Sequence, residues 1–348
     1  AILCAISGYK VTWETANKNE IGNVCFLCML CFITVLAFLY IKDEVIQMFG
    51  YMKLNRKISN ILFAIIGISL FIFISMITIL RYKSYSNSTY DFGIFAQMYE
   101  YMKQTGKMTT TVERNTLLSH FGVHFSPIFY IGLPIYMIFP SAITVQVIQA
   151  IMVAFPIIPI VLLCRHYKLS NWITVAVTLI YALYPATAGG TFYDIHENCF
   201  LTFFLLLTIY FVEKKKDIPA IICMLLVFLV KEDAAAYIMI VGAYFLFSRR
   251  DKKRGIIMII LSAIYFVVAL SVVNSYGLGV LDDRFANLYA DPNGGLGQVF
   301  KTIITNPAYV IAQMISNTDA TGMDKIQYLL LMIVPMATML FATGKKYS

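Results

Sequence analysis

The chain has 348 residues, 59% hydrophobic and 13% charged, with a mean hydropathy of +0.75. Soluble globular domains carry about a quarter charged residues, so this composition excludes that class. The formal net charge of +8 does not point to nucleic acid, because the basic residues lie in short clusters at the ends of apolar runs, as topology signals do.

Apolar runs of roughly 20 residues recur, the length that crosses about 30 Å of hydrocarbon. They lack the period-2 alternation of barrel strands. The expected fold is an all-α polytopic membrane protein forming one transmembrane domain over 1–348. After an ambiguous stretch at 1–20, spans are predicted at about 21–41, 58–80, 141–164, 172–192, 198–212, 218–231, 233–248, 255–276 and 326–343. Cys25, Cys28 and Cys31 have a spacing that suits an iron–sulfur cluster. Their place in an apolar run makes small residues of a transmembrane helix the reading preferred here.

Between the second and third spans lies a polar segment, 81–140, read as a first outer loop. In it Phe92, Phe95, Met98, Tyr99 and Met102 recur at helical spacing, which predicts an amphipathic helix over 92–103 lying on the membrane surface. Asp91 stands at its N-cap, where a helix N-terminus favours a carboxylate. Residues 125–139 are apolar but punctuated by Pro127, Pro134 and Pro140. Some 14 residues rise only about 21 Å, so a re-entrant or juxtamembrane helix is expected there. A second outer loop is placed at 277–322, with an amphipathic piece near 297–315.

If 125–139 does not cross, the clusters Lys42 to Lys57, Arg165/Lys168, Lys214 to Lys216, Arg249 to Arg254 and Lys345/Lys346 share one side. The positive-inside rule makes that side cytoplasmic and the loops extracytoplasmic, in a plasma membrane. The outer side then collects Asp91, Glu100, Glu113, His120, His124, Asp194, His196, Glu197, Lys231, Glu232, Asp233, Asp282, Asp283 and Arg284. Charge at the depth of helix ends is costly unless paired or lining a polar cavity.

Each cluster also has a plainer reading. Asp91 can be only a cap, and His120 and His124 can be hydrogen-bonded within a packed loop. Asp194-Ile195-His196-Glu197 can be a solvated turn, and Lys231-Glu232-Asp233 a neutralised helix-end cluster. If His120 and His124 lie on a helix, their spacing of four puts them on one face. Asp91, His124, Asp194 and His196 are the donors to consider for a divalent metal such as Mg or Mn, though no stretch has tight metal-site spacing. Together the groups suit a reaction on a lipid-linked phosphate. A carboxylate takes a hydroxyl proton as general base, and a lysine or arginine holds the phosphate.

The motifs Tyr90-Asp91-Phe92-Gly93-Ile94-Phe95, His124-Phe125-Ser126-Pro127, Asp194-Ile195-His196-Glu197 and Lys231-Glu232-Asp233, in that order between about 58 and 310, resemble those of a bacterial and archaeal family labelled predicted membrane proteins. That family is similar to the GT-C glycosyltransferases, such as the protein mannosyltransferases, oligosaccharyltransferases and aminoarabinose transferases. The resemblance implies a large first outer loop with juxtamembrane helices. It also implies transfer of a sugar from a polyprenyl-phosphate donor to an envelope glycan, lipid or protein. Asp91 occupies the place of the general base, and Asp194 or Glu197 that of a second acid. In this reading His120, His124 and His196 shape the pocket, Lys231 and Arg284 bind phosphate, Glu232 positions Lys231, and Asp233 stands beside them. The rival readings are a lipid or lipid-linked-sugar flippase, which needs charges near the bilayer midplane, and a non-catalytic membrane subunit of the same fold.

Overall fold

The computed structural model describes residues 54–87, 91–192, 194–276, 286–288 and 296–315, with scattered helical residues between 26 and 47. The chain divides into two compact units, one of Lys53–Arg284 and one of Ala1–Met52 with Phe285–Ser348. The first holds all the elements that concern the site.

Among the described residues three stretches are long and apolar enough to cross a membrane: Arg56–Lys83, Ala142–His166 and Lys252–Ser275. The first is helix α1. The second comprises α4 (Ala142–Ala154) and α5 (Ile157–His166), joined through Phe155 and Pro156. The third is α11. With most other elements helical too, the chain is an all-α membrane protein, with one small hairpin among the described residues.

Between the long helices run α6 (Asn171–Leu183), the short α7 (Pro185–Gly189), α8 (Leu201–Glu213), α9 (Asp217–Phe228) and α10 (Ala234–Phe247). The span expected at 172–192 is therefore shorter. The helix stops at Leu183, because Pro185 disfavours helical backbone at Tyr184, which is extended at φ −64°, ψ 129°. At 1.5 Å per residue the 12 to 14 residues of α6, α8, α9 and α10 rise only about 18–21 Å.

The helices alternate in direction, so the unit has two ends. At one, Asn171 Nδ2 donates to Leu54 O at 2.8 Å, Arg165 to Asn60 Oδ1, and Arg249 to Glu213. Helices α5, α8 and α10 all finish there, with Lys168, Lys215 and Arg250 in the left-handed region at φ 57°, 55° and 55°. The described basic clusters thus share this end, where cations also complement helix C-termini. Asn55, Ser170 and Asp251 cap the helices that start there.

The opposite end is built by the 91–138 segment. Helix α2 (Asp91–Thr105) has Asp91 in its first turn. Its apolar face does not lie on lipid, as the amphipathic pattern alone suggests. Phe92, Phe95, Met98, Tyr99 and Met102 are buried in a core with Ile128, Phe129, Phe200 and Phe228. Strands β1 (Thr109–Thr110) and β2 (Leu118–Ser119) pair antiparallel, Thr109 opposite Ser119. Residues 125–139 form a 3₁₀ turn at Pro127–Ile131 and the six-residue helix α3, Leu133–Ile138. Neither is long enough to cross.

Helices α10 and α11 pack closely through glycine. A Cβ at Gly255 would lie 2.7 Å from Gly242 O and Leu246 N, a small-residue contact of the kind that lets membrane helices approach. In the other unit the amphipathic piece is two helices, α12 (Leu296–Thr305) and α13 (Pro307–Ile315), broken where Pro307 follows Asn306. The predicted span 326–343 and Arg284 lie outside the described residues.

Candidate functional site

Four segments meet at the loop-rich end. The start of α2 brings Asp91. The hairpin and the turn after it bring Glu113, Arg114, His120 and His124. The connection from α7 to α8 brings Asp194, His196 and Glu197, and the turn from α9 to α10 brings Lys231, Glu232 and Asp233.

The two histidines of the loop are not on one α-helix. His120 opens a 3₁₀ turn, His120–Gly122, and His124 follows it with its N–H donating to His120 O at 2.9 Å. The chain still folds so that their rings lie 6.1 Å apart. Each is backed by a carboxylate. His120 Nδ1 is 3.3 Å from Glu113 Oε2, and His124 Nδ1 is 2.8 Å from Glu232 Oε1. A carboxylate only accepts, so Nδ1 of His124 carries the proton in that bond. Glu232 Oε2 accepts from Phe125 N at 3.0 Å. Glu232 therefore fixes His124 and its loop, not Lys231 as the sequence alone suggests.

Lys231 is held by Glu197, with Nζ 2.8 Å from Oε1. Glu197 is fully buried and Lys231 only 8% exposed. Burial pushes the Glu197 carboxyl up, but the Lys231 ammonium, His124 and His120 outweigh it and hold the group at about 2. Glu232 follows the same pattern, its burial outweighed chiefly by His124. His196 completes the set. Its Nε2 is 3.7 Å from Asp91 Oδ2, and its Nδ1 is 3.0 Å from Asp194 O.

A cavity of about 280 Å³ lies among Asp91, Glu113, Arg114, His120, His124, His196 and Glu197. Buried polar atoms facing it are left without a hydrogen-bond partner among the described residues. His120 Nε2 has no hydrogen-bond partner, and the Glu197 oxygens have none beyond the close approach of Lys231 Nζ. Such groups are rare and call for an explanation. A second cavity, about 410 Å³, lies on the other side of His196 and is lined by Asp194, Gln149, Tyr181, Tyr184 and Thr191 among others. The site thus unites Asp91, His120, His124, His196 and Glu197 around one space, with Asp194 on the neighbouring one. Lys231 and Glu232 support it from behind, and Asp233 is exposed at the head of α10.

Three residues escaped sequence reasoning. Arg114 is the cation that lines the smaller cavity. Gln97 reaches from α2 to the hairpin loop. Its Oε1 accepts from Thr110 Oγ1 at 2.7 Å and Thr111 N at 2.9 Å, and its Nε2 donates to Thr111 Oγ1 at 2.8 Å. That clamp positions the loop carrying Glu113 and Arg114. Gln149 donates to Thr191 O at 3.2 Å beside the larger cavity. Its polar side chain inside a predicted span was the available signal.

Among the described residues no three His, Cys, Asp or Glu side chains are gathered to hold one ion. Asp91, His124 and His196 line one cavity without gathering closely enough to share an ion, and Asp194 lines the neighbouring cavity.

Residues 81–345 match the family model described as predicted membrane protein, DUF2079. No curated protein and no solved structure matches the chain.

Proposed function

The chain belongs to the DUF2079 family of predicted membrane proteins, and on that premise we propose that it is a multi-pass plasma-membrane glycosyltransferase of the GT-C type. It moves a sugar from a polyprenyl-phosphate donor to a hydroxyl of an envelope acceptor. The observation that carries this reading is the small cavity, where a carboxylate–imidazole pair, an arginine, the unpartnered Nε2 of His120 and the buried Glu197 carboxylate face one space. With the basic clusters on the cytoplasmic side, this cavity opens toward the extracytoplasmic side.

Asp91, 3.7 Å from His196, takes the proton of the acceptor hydroxyl as general base. The acceptor oxygen bonds to the anomeric carbon as the bond from that carbon to the phosphate oxygen breaks. Arg114 meets the charge that develops on the departing phosphate. Lys231 is committed to Glu197, so the phosphate-binding role passes to Arg114. Glu197 Oε2 and His120 Nε2 meet sugar hydroxyls, which gives these buried atoms the hydrogen-bond partners they lack. The donor set does not gather into a metal site, and no step is routed through a metal.

The test is transfer from undecaprenyl-phosphate-linked hexoses by the full chain in proteoliposomes. Asp91→Asn should lower the rate about 10²–10⁴-fold with unchanged melting. Full activity in that variant would overturn the assignment of Asp91.

One observation favours a second reading, a lipid flippase. Tyr265 donates to Phe228 O and its ring stacks on Phe228 at 4.6 Å. Tyr265 is about 20 Å from the Lys252 end of α11 and about 15 Å from its Ser275 end. The Lys231-Glu232-Asp233 turn thus sits beside the middle of a membrane-length helix, where a transporter keeps its ionisable groups. Scrambling of labelled lipid by the proteoliposomes without sugar transfer would select this reading.

A further inference from the structure

A larger cavity than either of these lies away from this site. It is a groove of about 650 Å³ between α1 and the α4–α5 helix, floored by Phe63, Ile157 and Val161 and opening past Ile68 and Ile158. Ile68 and Ile158 are 57% and 52% exposed. Gly67 leaves room on the α1 wall, where an added Cβ would meet only Ile157 Cδ1, at 3.7 Å. The walls are apolar except at the basic end, where Asn60 and Arg165 form the mouth.

Arg165 differs from its neighbours at that end. Arg249 pairs with Glu213, and Arg254 with Asp217 and Asp251. Among the described residues no carboxylate pairs with Arg165. Its guanidinium donates to the neutral Asn60 Oδ1 and sits 5.6 Å over the Phe63 ring. Arg56 lies one turn before Asn60, on the same face of α1. Among the described residues the mouth is thus positive with no carboxylate to neutralise it, which fits a phosphate.

The length fits as well. From Asn60 to Phe71 the α1 wall rises about 16 Å, and from Arg165 back to Ile151 the other wall rises about 21 Å. Half of a hydrocarbon core of about 30 Å is about 15 Å, the depth of one leaflet. The groove is therefore one leaflet deep, apolar along its length and cationic where a headgroup would sit.

We propose that this groove binds one anionic glycerophospholipid of the leaflet at the basic end, with its phosphate on Arg165 and an acyl chain along Phe63, Gly67 and Phe71. The proposal rests on membership of a membrane-protein family and not on the chemistry at the opposite end. A lipid held there braces α1 against α5.

The test is native mass spectrometry of the full chain, stripped of lipid and titrated with phosphatidylglycerol or phosphatidylcholine. The wild type should retain one phosphatidylglycerol about tenfold better than phosphatidylcholine. Arg165→Ala should remove that preference and Arg165→Lys keep part of it. Gly67→Phe should abolish retention of both, whereas Gly67→Ala, which fits without a clash, should not. If Gly67→Phe does not fold, Ile158→Trp fills the groove from its open side and should act alike. Equal retention of the two lipids by the wild type would mean ordinary solvating lipid and overturn the proposal. So would unchanged retention in both filled variants, or no retained lipid in the wild type, the result if another segment of the chain occupies the groove.

Discussion

Replacing Lys231 by methionine tests the buried pair behind the site. Its Nζ lies 2.8 Å from Glu197 Oε1, and Glu197 is fully buried. Methionine fills much of the lysine's volume but leaves a buried carboxylate without its counter-charge. Breaking one side of such a pair costs about 3–5 kcal/mol. The acid–base behaviour gives a similar scale. Glu197 is held at about 2 against an ordinary 4.5, and at 1.36 kcal/mol per unit that difference is about 3 kcal/mol. Because the folded pKa is depressed, this stability is fully present above about pH 4.5 and is lost as pH falls through about 2. Lys231→Met should therefore lower the melting midpoint at pH 7 and flatten the acid limb below pH 4.5. The double variant Lys231→Met/Glu197→Gln should recover most of the loss, since neither charge is then stranded. Melting in nanodiscs, followed by intrinsic fluorescence from pH 7 to pH 3, reads both effects. A Lys231→Met midpoint equal to wild type at pH 7, or single-variant losses that simply add in the double, would refute the reasoning.

Gly255→Ala should destabilise the chain by at least about 1–3 kcal/mol. Its Cβ would meet backbone atoms at 2.7 Å, so the α10–α11 pair must part, and a lowered melting midpoint in nanodiscs checks this. Gly93→Ala is the contrasting case. Its Cβ meets nothing within 4 Å, and a helical Gly exchanged for Ala gains about 0.5–1 kcal/mol, visible as a raised midpoint. Lys215→Gly relieves a left-handed residue at φ 55° and should gain about 1 kcal/mol in the same assay. Gln97→Ala removes the clamp on the hairpin loop; amide exchange of residues 110–117 should rise while that of the α2 core stays protected.

The hydrophobic pattern made the long helices legible, since α1 and α11 begin and end within a few residues of the predicted runs. It misread α6, where the apolar run continues past the backbone break at Tyr184-Pro185. It also misplaced the apolar face of α2. A stripe of Phe92, Phe95, Met98 and Tyr99 looks the same whether lipid or protein covers it, and only tertiary packing decides. The charged motifs of the site could be grouped by topology alone, because every connection at that end carried them. Their pairing could not. Lys231 and Glu232 are adjacent in sequence, yet neighbours in a turn point apart, and their partners are Glu197 and His124, 34 and 108 residues away. Arg114 escaped notice because nothing local separates it from any loop arginine.

The unequal helix lengths decide where such a site can lie. The long helices α1 and α11 rise about 42 and 36 Å, whereas α8, α9 and α10 stop after about 18–21 Å. Their connections therefore turn inside the thickness that the long helices cross. Irregular backbone at that depth is tolerated only where protein or a polar cavity receives its hydrogen-bonding groups. Here the 91–138 segment does so. Ile128 N donates to Leu229 O at 2.9 Å, and Phe125 N donates to Glu232. The same segment places Arg114 and His120 over Glu197. The loop that seals the short helices also completes the cavity, so a substitution that loosens it, such as Glu232→Gln at its anchor, should weaken the fold and the site together.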